Sequence, residues 1–452
     1  MRTIGSSVET VINDSTEVSG RCYQPFRAWS MVAILALMLL LSFVDRYSLT
    51  VLVGPIKHDL HLSDTQIGLL LGTAFGVFYT LVGLPSGYLI DRFNRRNLLV
   101  AGVTIWTLMT ILSGFAQSAM TLFVGRMGVG LGEAVLTPAA YSLIKDAFPQ
   151  HYRGRAYGVY LFGSSVGTGA ALLVVGWLSE LLATRVLVLP VHGMAIWQQI
   201  LVIIGIAGIP VAVLGTLISE PKRHGAGASA TIEAVFQYLR ANLRVYLPLI
   251  LAYTVWGVCI YSYGAWLPTA LSRAWGLPAP AVGSKYGLVT MAMAPVAVFL
   301  FSPIFDRLIK LDRARTVPAF TGLICMMIAV PTAIGPLAFT PRLTWICLGL
   351  NIFFAMGNQL ALALVLAQVT PGRMLGKLSS FCFLCMNLVG LGLGPIMIPL
   401  VANYFGPSSS SLGRALSVVA GTGWVVVGIL LLIVWSGGAT AFSQSGTEDS
   451  RS

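Results

Sequence analysis

The sequence predicts an all-α membrane protein that crosses the bilayer twelve times, in two bundles of six helices. Three observations support this fold class. Of 452 residues, 56% are hydrophobic and 10% are charged, and the mean hydropathy is +0.83, whereas a soluble globule of this length needs more polar surface. The apolar residues form runs of about 20 to 25, enough for a helix to cross about 30 Å of hydrocarbon. One long polar stretch divides the runs six and six.

The runs are rich in Leu, Ala, Val and Gly and follow one another with short polar connections. Strands of an outer-membrane barrel would be about 10 residues long and would alternate in polarity, so each run is expected to be a helix. No room is left for a second soluble domain. The runs lie near residues 28–52, 65–90, 97–117, 119–145, 155–178, 197–218, 244–271, 283–309, 314–334, 342–368, 374–402 and 413–435.

The basic residues are unevenly distributed between the loops on the two sides of the membrane. Of the 28 Lys and Arg residues, 20 fall in the two tails and the even-numbered connections, and six fall in the odd-numbered connections. The positive-inside rule then predicts a multi-pass protein with both termini in the cytoplasm. The expected location is a bacterial inner membrane. Anionic lipid headgroups account for the net charge of +12 without a nucleic-acid partner.

The first 27 residues are polar and contain no apolar core of a signal peptide, so the first helix is expected to be retained. The expected organisation is a cytoplasmic tail, a six-helix bundle, a cytoplasmic linker, a second six-helix bundle and a second cytoplasmic tail. These parts cover residues 1–27, 28–218, 219–243, 244–435 and 436–452.

The two halves share a short motif. "SGYLIDRFNRR" (86–96) follows the second run and "FSPIFDRLIKLDR" (301–313) follows the eighth, which is the second run of its half. An Asp-Arg pair at the same place in each half suggests an internal repeat, and a repeat makes the interface between the bundles the natural site for a substrate. Chance occurrence of Asp-Arg in two loops is the alternative.

Several short motifs resemble enzyme sites but lack the required surroundings. "GVGLG" (128–132) and "GLGLG" (390–394) do not follow a strand, "GSSVG" (163–167) has no histidine nearby in a span, and Cys382 and Cys385 have no further metal-type ligands. Glycines spaced by four, at 68, 72 and 76 and again at 83 and 87, predict close helix packing. We therefore expect neither an enzyme nor a cofactor or metal site.

Four ionisable residues lie inside predicted spans: Asp45 and Arg46 in the first, Arg126 and Glu133 in the fourth. Each costs about 2.5 to 3.5 kcal/mol at mid-bilayer, so they should face the bundle interior. Arg126 and Glu133, seven residues apart, lie within about 20° of one helix face and about 10 Å apart. Asp45 and Arg46 point about 100° apart, so one can reach the fourth helix while the other faces a cavity.

Buried ion bridges that only hold the two helices together are the structural alternative, but such pairs often fail to recover their desolvation cost. A functional role fits better. Burial favours a neutral carboxyl and a nearby arginine favours a charged one, so Asp45 and Glu133 can change protonation when Arg126 changes partner. Arginine stays charged and binds carboxylates or phosphates in bidentate fashion. No histidine lies in a predicted span, so proton coupling falls to the carboxyls.

"GYLIDRFNRR" resembles the loop signature of the major facilitator superfamily, and "RMGVGLGEA" (126–134) is similar to its fourth-helix pattern. Asn94 stands where that family usually has Gly. Within it, "VDRYSLTVLVGPIKHDLHLSDTQIGLL" (44–70) and "GEAVLTPAAYSLIKDAFPQHYRGRAYGVY" (132–160) resemble spinster-like transporters most and the anion:cation symporters of sugar acids next. No antiporter motif is matched in the fifth run.

The resemblance implies roles for the charged residues. Asp45 and Glu133 would be protonatable couplers with Arg126 between them, and Arg46, with Arg126, would contact substrate. Asp91, Arg92, Arg95 and Arg96, with Asp306 of the second half, would form a cytoplasmic gate, unless these charges only set topology. Tyr79, Tyr263, Asn358 and Asn387 are further candidates for substrate binding, although aromatic residues at such spacing are more often packing residues.

The expected function is a proton-coupled secondary transporter that moves an anionic or amphipathic small organic molecule, such as a lysolipid or organic acid, by alternating access. Proton symport of sugar acids such as hexuronates or aldonates is the alternative, and a lipid enzyme or receptor a remote one. The expected partners are substrate, protons and the bilayer, and the protein is expected to be a monomer.

Overall fold

A computed structural model describes residues 17–18, 21–22, 24–184, 193–223, 232–310, 316–337 and 340–437. Most of both predicted tails and part of the linker lie outside these residues. The described chain contains twelve helices long and apolar enough to cross a membrane, which confirms the predicted fold class. The strands β1 (Glu17–Val18) and β2 (Arg21–Cys22) form a two-residue antiparallel ladder before the first helix.

The twelve helices fall into two halves, α1–α6 and α7–α12. Those of the first half are α1 Pro25–Asp59, α2 Asp64–Arg92, α3 Arg95–Gly114, α4 Ala119–Ala147, α5 Gln150–Ala183 and α6 Ile196–Gly215. Those of the second half are α7 Leu243–Trp275, α8 Ala279–Lys310, α9 Val317–Ile334, α10 Pro341–Val369, α11 Met374–Tyr404 and α12 Ser411–Gly437.

Several helices extend beyond their predicted ends. Two histidines lie in these extensions, because α1 includes His58 and α5 includes His151, both outside the predicted runs 28–52 and 155–178. Both side chains are exposed. Apolar runs mark only the lipid-facing part of a helix, whereas backbone hydrogen bonding continues into polar turns at its ends.

Three helices contain irregular turns that hydropathy did not predict. α2 contains a π-helical turn at Leu69–Thr73 and α11 one at Met386–Leu391, while α4 is interrupted directly after Glu133. The linker was expected to be a polar loop, but Ile232–Ala241 forms a helix that buries Val235 and Leu239. Four-residue spacing of apolar side chains in this short segment explains its amphipathic helix.

Glycines allow the two halves to approach closely along α2 and α11. A Cβ atom at Gly68, Gly72 or Gly76 would lie 2.7–3.0 Å from the backbone of α11, as the four-residue spacing predicts. The prediction does not hold for Gly83 and Gly87, where a Cβ would meet no described atom within 4 Å. α2 and α11 therefore diverge toward the C-terminal end of α2.

α5 and α8 follow the same pattern. Gly169 and Gly176 of α5 pack directly against α8, whereas a Cβ at Gly154 or Gly158 would meet no described atom within 4 Å. The halves are thus in contact at the end of the molecule where α1 turns into α2, and they separate toward the end where α2 turns into α3.

A group of charged side chains links the halves at the closed end. Arg273 of α7 donates two hydrogen bonds to the Asp64 carboxylate of α2, at 2.6 and 2.8 Å. Lys57 of α1 donates a third, at 2.6 Å. We call these three residues the closing triad.

Candidate functional site

The four intramembrane charges form two crossed pairs between α1 and α4. Arg46 Nη2 lies 2.7 Å from Glu133 Oε2, and Arg126 Nη1 lies 3.8 Å from Asp45 Oδ2. The sequence predicted that only one of the two α1 residues would reach α4, and this is wrong. The long arginine side chains cross the gap in opposite directions, one from each helix, so both α1 residues have a partner.

Two buried hydroxyl groups complete the carboxylate surroundings. Ser42 Oγ donates to Glu133 Oε2 at 2.7 Å, and Thr110 Oγ1 of α3 lies 3.0 Å from Asp45 Oδ2. Asp45, Arg126 and Glu133 are each at most 2% exposed. Sequence reasoning missed both hydroxyl residues, since Ser and Thr are common in membrane helices and bond mostly to their own backbone.

Much of the hydrogen-bonding capacity of this cluster is unused. Among the described residues, no partner is found for Asp45 Oδ1, Glu133 Oε1, Arg46 Nε, or Arg126 Nε and Nη2. Buried polar groups are normally satisfied, and each orphan costs about 1–3 kcal/mol. These atoms are positions at which the cluster can make further hydrogen bonds, to water, to a substrate group or to a new partner within the cluster.

Aromatic rings surround the Arg46 guanidinium. Its central carbon lies 4.5 Å from the ring centroid of Phe75, 5.1 Å from Phe43 and 5.2 Å from Tyr79. Arg126 lies 5.4 Å from the same Phe75 ring. Cation–π attraction compensates part of the desolvation of both arginines. Tyr79, selected from the sequence, therefore lies beside the charge cluster.

The second half places a tyrosine and an amide opposite Arg46. Tyr261 of α7 packs against the same apolar cluster of the first half as Phe43 and Tyr79, and its hydroxyl donates to Asn387 Oδ1 of α11 at 3.0 Å. Asn387 lies in the π-helical turn. The α7 residue chosen from the sequence was Tyr263, whereas Tyr261 lies on the side of the cluster, because two positions along a helix turn the side chain by about 200°.

Two further candidates lie elsewhere in the second half. The Tyr263 hydroxyl is 3.3 Å from the position of a Cβ on Gly335, at the end of α9. Asn358 is fully buried beside Cys325. In this conformation neither side chain lies at the Arg46 cluster.

The expected cytoplasmic gate is not assembled in this conformation. Asp91, Arg92 and Asp306 are exposed, and Arg92 donates to the Tyr88 hydroxyl one turn earlier. Arg96 also lies outside the cleft; its backbone N–H binds Glu220 Oε2 and its side chain binds Asn97.

Arg95, which was predicted to belong to the cytoplasmic gate, lies elsewhere in the structure. It is 1% exposed and pairs with Asp146 and with Glu220 of the linker. These partners hold it inside the first half and away from the opening between the halves. Its guanidinium donates to Ser142 and Asp146 of α4 and to Glu220 of the linker, and these acceptors hold the side chain against α4.

Comparisons with known proteins agree with this architecture. A family model described as "Major Facilitator Superfamily" matches residues 35–395. An MFS-type efflux pump of Mycolicibacterium smegmatis is 28% identical over 87% of this chain and 89% of its own length. A probable L-galactonate transporter of Escherichia coli K12 is 26% identical over 79% of this chain and 80% of its own.

A solved structure has the same fold. It is a bacterial homologue of the human lysosomal transporter Spinster, in an inward-facing and unoccupied conformation. It aligns with a TM-score of 0.74 and 23% identity over 94% of this chain and 98% of its own.

Proposed function

The chain belongs to the major facilitator superfamily and is a twelve-span membrane transporter, and from this premise we propose that it couples the movement of an anionic organic molecule to protons. One observation carries the proposal: two carboxylates and two arginines form a buried, incompletely bonded cluster between α1 and α4 of the first half. The proposed organisation is two six-helix bundles, residues 28–218 and 244–435, acting as a monomer.

Charge conservation explains the coupling. With all four side chains ionised the cluster has no net charge, and Glu133 forms an ion pair with Arg46. An anion that takes the place of Glu133 on Arg46 Nη2 leaves the Glu133 carboxylate buried without its cation. Leaving one member of a buried pair uncompensated costs about 3–5 kcal/mol. If Glu133 takes up a proton as the anion binds, the net charge of the cluster does not change.

The surroundings of Arg46 define the proposed substrate. The guanidinium would hold a carboxylate or phosphate group. Phe43, Phe75 and Tyr79 offer aromatic faces to an apolar or ring-shaped body, and the Tyr261–Asn387 pair offers polar groups from the opposite half. Such a site suits an anionic amphiphile or an organic acid. Asp45, with Arg126 beside it, is proposed as the second protonatable group.

The two ends of the molecule fit alternating access. The closing triad holds one end shut while the halves diverge at the other. The distribution of Lys and Arg supports cytoplasmic termini in a bacterial inner membrane, and in that orientation the site communicates with the cytoplasm. Asp91, Arg92, Arg96 and Asp306 would then meet when the protein opens outward.

Transport into proteoliposomes tests the proposal. The probes are D-galactonate, D-glucarate and lysophosphatidylglycerol, each supplied with and without an inwardly directed proton gradient. We expect at least one to accumulate faster with the gradient, and a protonophore to remove the difference. Transport of all accepted probes at a rate independent of the gradient would contradict proton coupling.

Sugar-acid symport is the second candidate, favoured by the 26% identity to a probable L-galactonate transporter over 80% of its length. Gradient-driven accumulation of galactonate without lysophosphatidylglycerol flux would select it. Lysolipid flux without galactonate accumulation would select the amphiphile.

Breaking the closing triad is expected to populate the outward-open state. Asp64→Asn removes the carboxylate that Arg273 and Lys57 share, and the partly exposed ion pairs are worth about 1 kcal/mol or less each, so the ratio of outward-open to inward-open molecules should rise by up to about fivefold for each pair lost. Spin labels at Leu60 and Leu277, which lie at this end in opposite halves, would report it as a longer distance component.

A matched control uses His58→Gln, because this exposed side chain pairs with Asp59 of its own helix and takes no part in the closing triad. The control should keep the original distance distribution. An unchanged distribution in both Asp64→Asn and Arg273→Gln would show that the triad does not hold the halves together.

A further inference from the structure

The hydroxyl group of Thr110 lies between a carboxyl and a backbone carbonyl. Thr110 Oγ1 is 3.0 Å from Asp45 Oδ2 and 2.9 Å from the carbonyl oxygen of Trp106, one turn earlier in α3. Thr110 is 2% exposed. A threonine hydroxyl has one hydrogen to donate and two lone pairs with which to accept. It can therefore donate to only one of these two oxygens at a time.

The other carboxylate of the cluster has different surroundings. Glu133 Oε2 accepts from both Ser42 Oγ and Arg46 Nη2, each at 2.7 Å. Two donors, one of them cationic, therefore meet on one oxygen of this carboxylate. Asp45 lacks such a cationic hydrogen bond, because Arg126 Nη1 is 3.8 Å away. Thr110 is the hydrogen-bond partner of Asp45 in the described structure, and it can reverse the direction of that bond.

We propose that Thr110 is a positioning residue that holds Asp45 in the same place with and without its proton. When Asp45 is charged, Thr110 donates to Oδ2. When Oδ2 carries a proton, that O–H donates to Thr110 Oγ1, and the hydroxyl hydrogen of Thr110 turns to the Trp106 carbonyl. The only covalent bond that changes is the O–H bond of Asp45, whose proton comes from and returns to water.

This role rests on the proposed proton coupling and adds a requirement to it. The charged groups that face Asp45 are Arg126 and Glu133 of α4 and Arg46 of its own helix. The wall toward α6 is formed by Ile204 and Gly205. A carboxyl that stayed in place during protonation would leave the distances to these charges unchanged. Arg126 could then respond to the charge of Asp45 alone.

Infrared difference spectroscopy of the reconstituted protein tests the role without any substrate. The carboxylic C=O band that disappears as pH rises, and that is missing in Asp45→Asn, reports the proton on Asp45. Thr110→Val keeps the shape and removes the hydroxyl. The hydrogen bond from Thr110 to charged Asp45 is stronger than the bond to neutral Asp45, and Thr110→Val loses both. The pH at which Asp45 is half protonated should therefore rise by about one unit, a tenfold change in proton affinity.

Two variants provide controls. Thr110→Ser keeps the hydroxyl and should restore the original titration. Thr107→Val is the negative control. Thr107 lies about one turn before Thr110 on α3, is similarly buried at 3% exposure and lines the same small cavity as Asp45. Its hydroxyl has no hydrogen-bond partner among the described residues, so the Asp45 titration should not change.

The proposal is overturned if Thr110→Val titrates like the original protein, or if Thr107→Val shifts the titration equally. If Thr110→Val does not fold, Thr110→Cys, a weaker donor, should shift the titration in the same direction by less, and no shift would overturn the proposal. The spectra are independent of transport. A Thr110-dependent titration without proton-driven flux would thus reject the proposed function and support the Thr110 role.

Discussion

Glu133→Gln is expected to abolish proton-driven accumulation while substrate exchange across the membrane continues. Glutamine has nearly the same shape, and its carbonyl oxygen can still accept from Ser42 Oγ and Arg46 Nη2, so α1 and α4 should stay packed. It cannot bind or release a proton in the physiological range. The variant should therefore behave as if Glu133 were permanently neutral, with Arg46 available to the anion in every step.

Two assays separate these effects in proteoliposomes. Uptake driven by a proton gradient should fall to the level of empty liposomes, whereas exchange of internal unlabelled for external labelled substrate should remain within a fewfold of the original rate. The matched control is Glu180→Gln, the same change at an exposed position of α5, which should leave both unchanged. Gradient-driven uptake at the original rate in Glu133→Gln would remove Glu133 from the coupling mechanism.

Arg46→Lys is expected to weaken substrate binding strongly even though the positive charge remains. Lysine cannot form the bidentate contact with a carboxylate and stacks less well on aromatic faces than the guanidinium. Losing a hydrogen bond to a charged group costs about 1.5–3 kcal/mol, so the dissociation constant should rise by about 10- to 150-fold. Ligand-induced thermal stabilisation of the purified protein measures this change.

Removing the arginine also disturbs Glu133, so stability and binding must be separated. Arg46→Gln alone leaves a buried carboxylate without its cation, whereas Arg46→Gln combined with Glu133→Gln removes both charges. The double variant should recover melting temperature without recovering binding. Arg342→Lys changes an exposed arginine near the start of α10, to which no role is assigned, and serves as the control. Binding of original strength in Arg46→Lys would place the anion elsewhere.

Much of the fold could be predicted because the lipid environment imposes a simple pattern. Twelve runs of apolar residues predicted twelve helices, and four charges inside those runs had to face the interior since they are costly in lipid. The pairing of these charges could not be predicted. The pairing depends on how α1 and α4 lie side by side and on how far the side chains of Arg46 and Arg126 extend. Helix periodicity gives neither of these.

Other parts of the site depend on single turns of helix. Two residues separate Tyr261 from Tyr263, and only the packing of α7 against α11 decides which one faces the cluster. The π-helical turn that holds Asn387 arises from helix contacts and has no signal in hydropathy. Arg95 belongs to a familiar loop motif, yet its guanidinium is held by Asp146 and Glu220.

The most direct test of the account is to count the protons taken up when an anion binds the purified protein. A weakly buffered solution with a pH indicator dye serves for this, with whichever of galactonate, glucarate or lysophosphatidylglycerol raises the melting temperature as the probe. We expect uptake of about one proton per monovalent anion, because the charge of the cluster should not change. This uptake should be lost in the Asp45→Asn, Glu133→Gln double variant. Anion binding without proton uptake, or equal uptake in the double variant, would contradict the account.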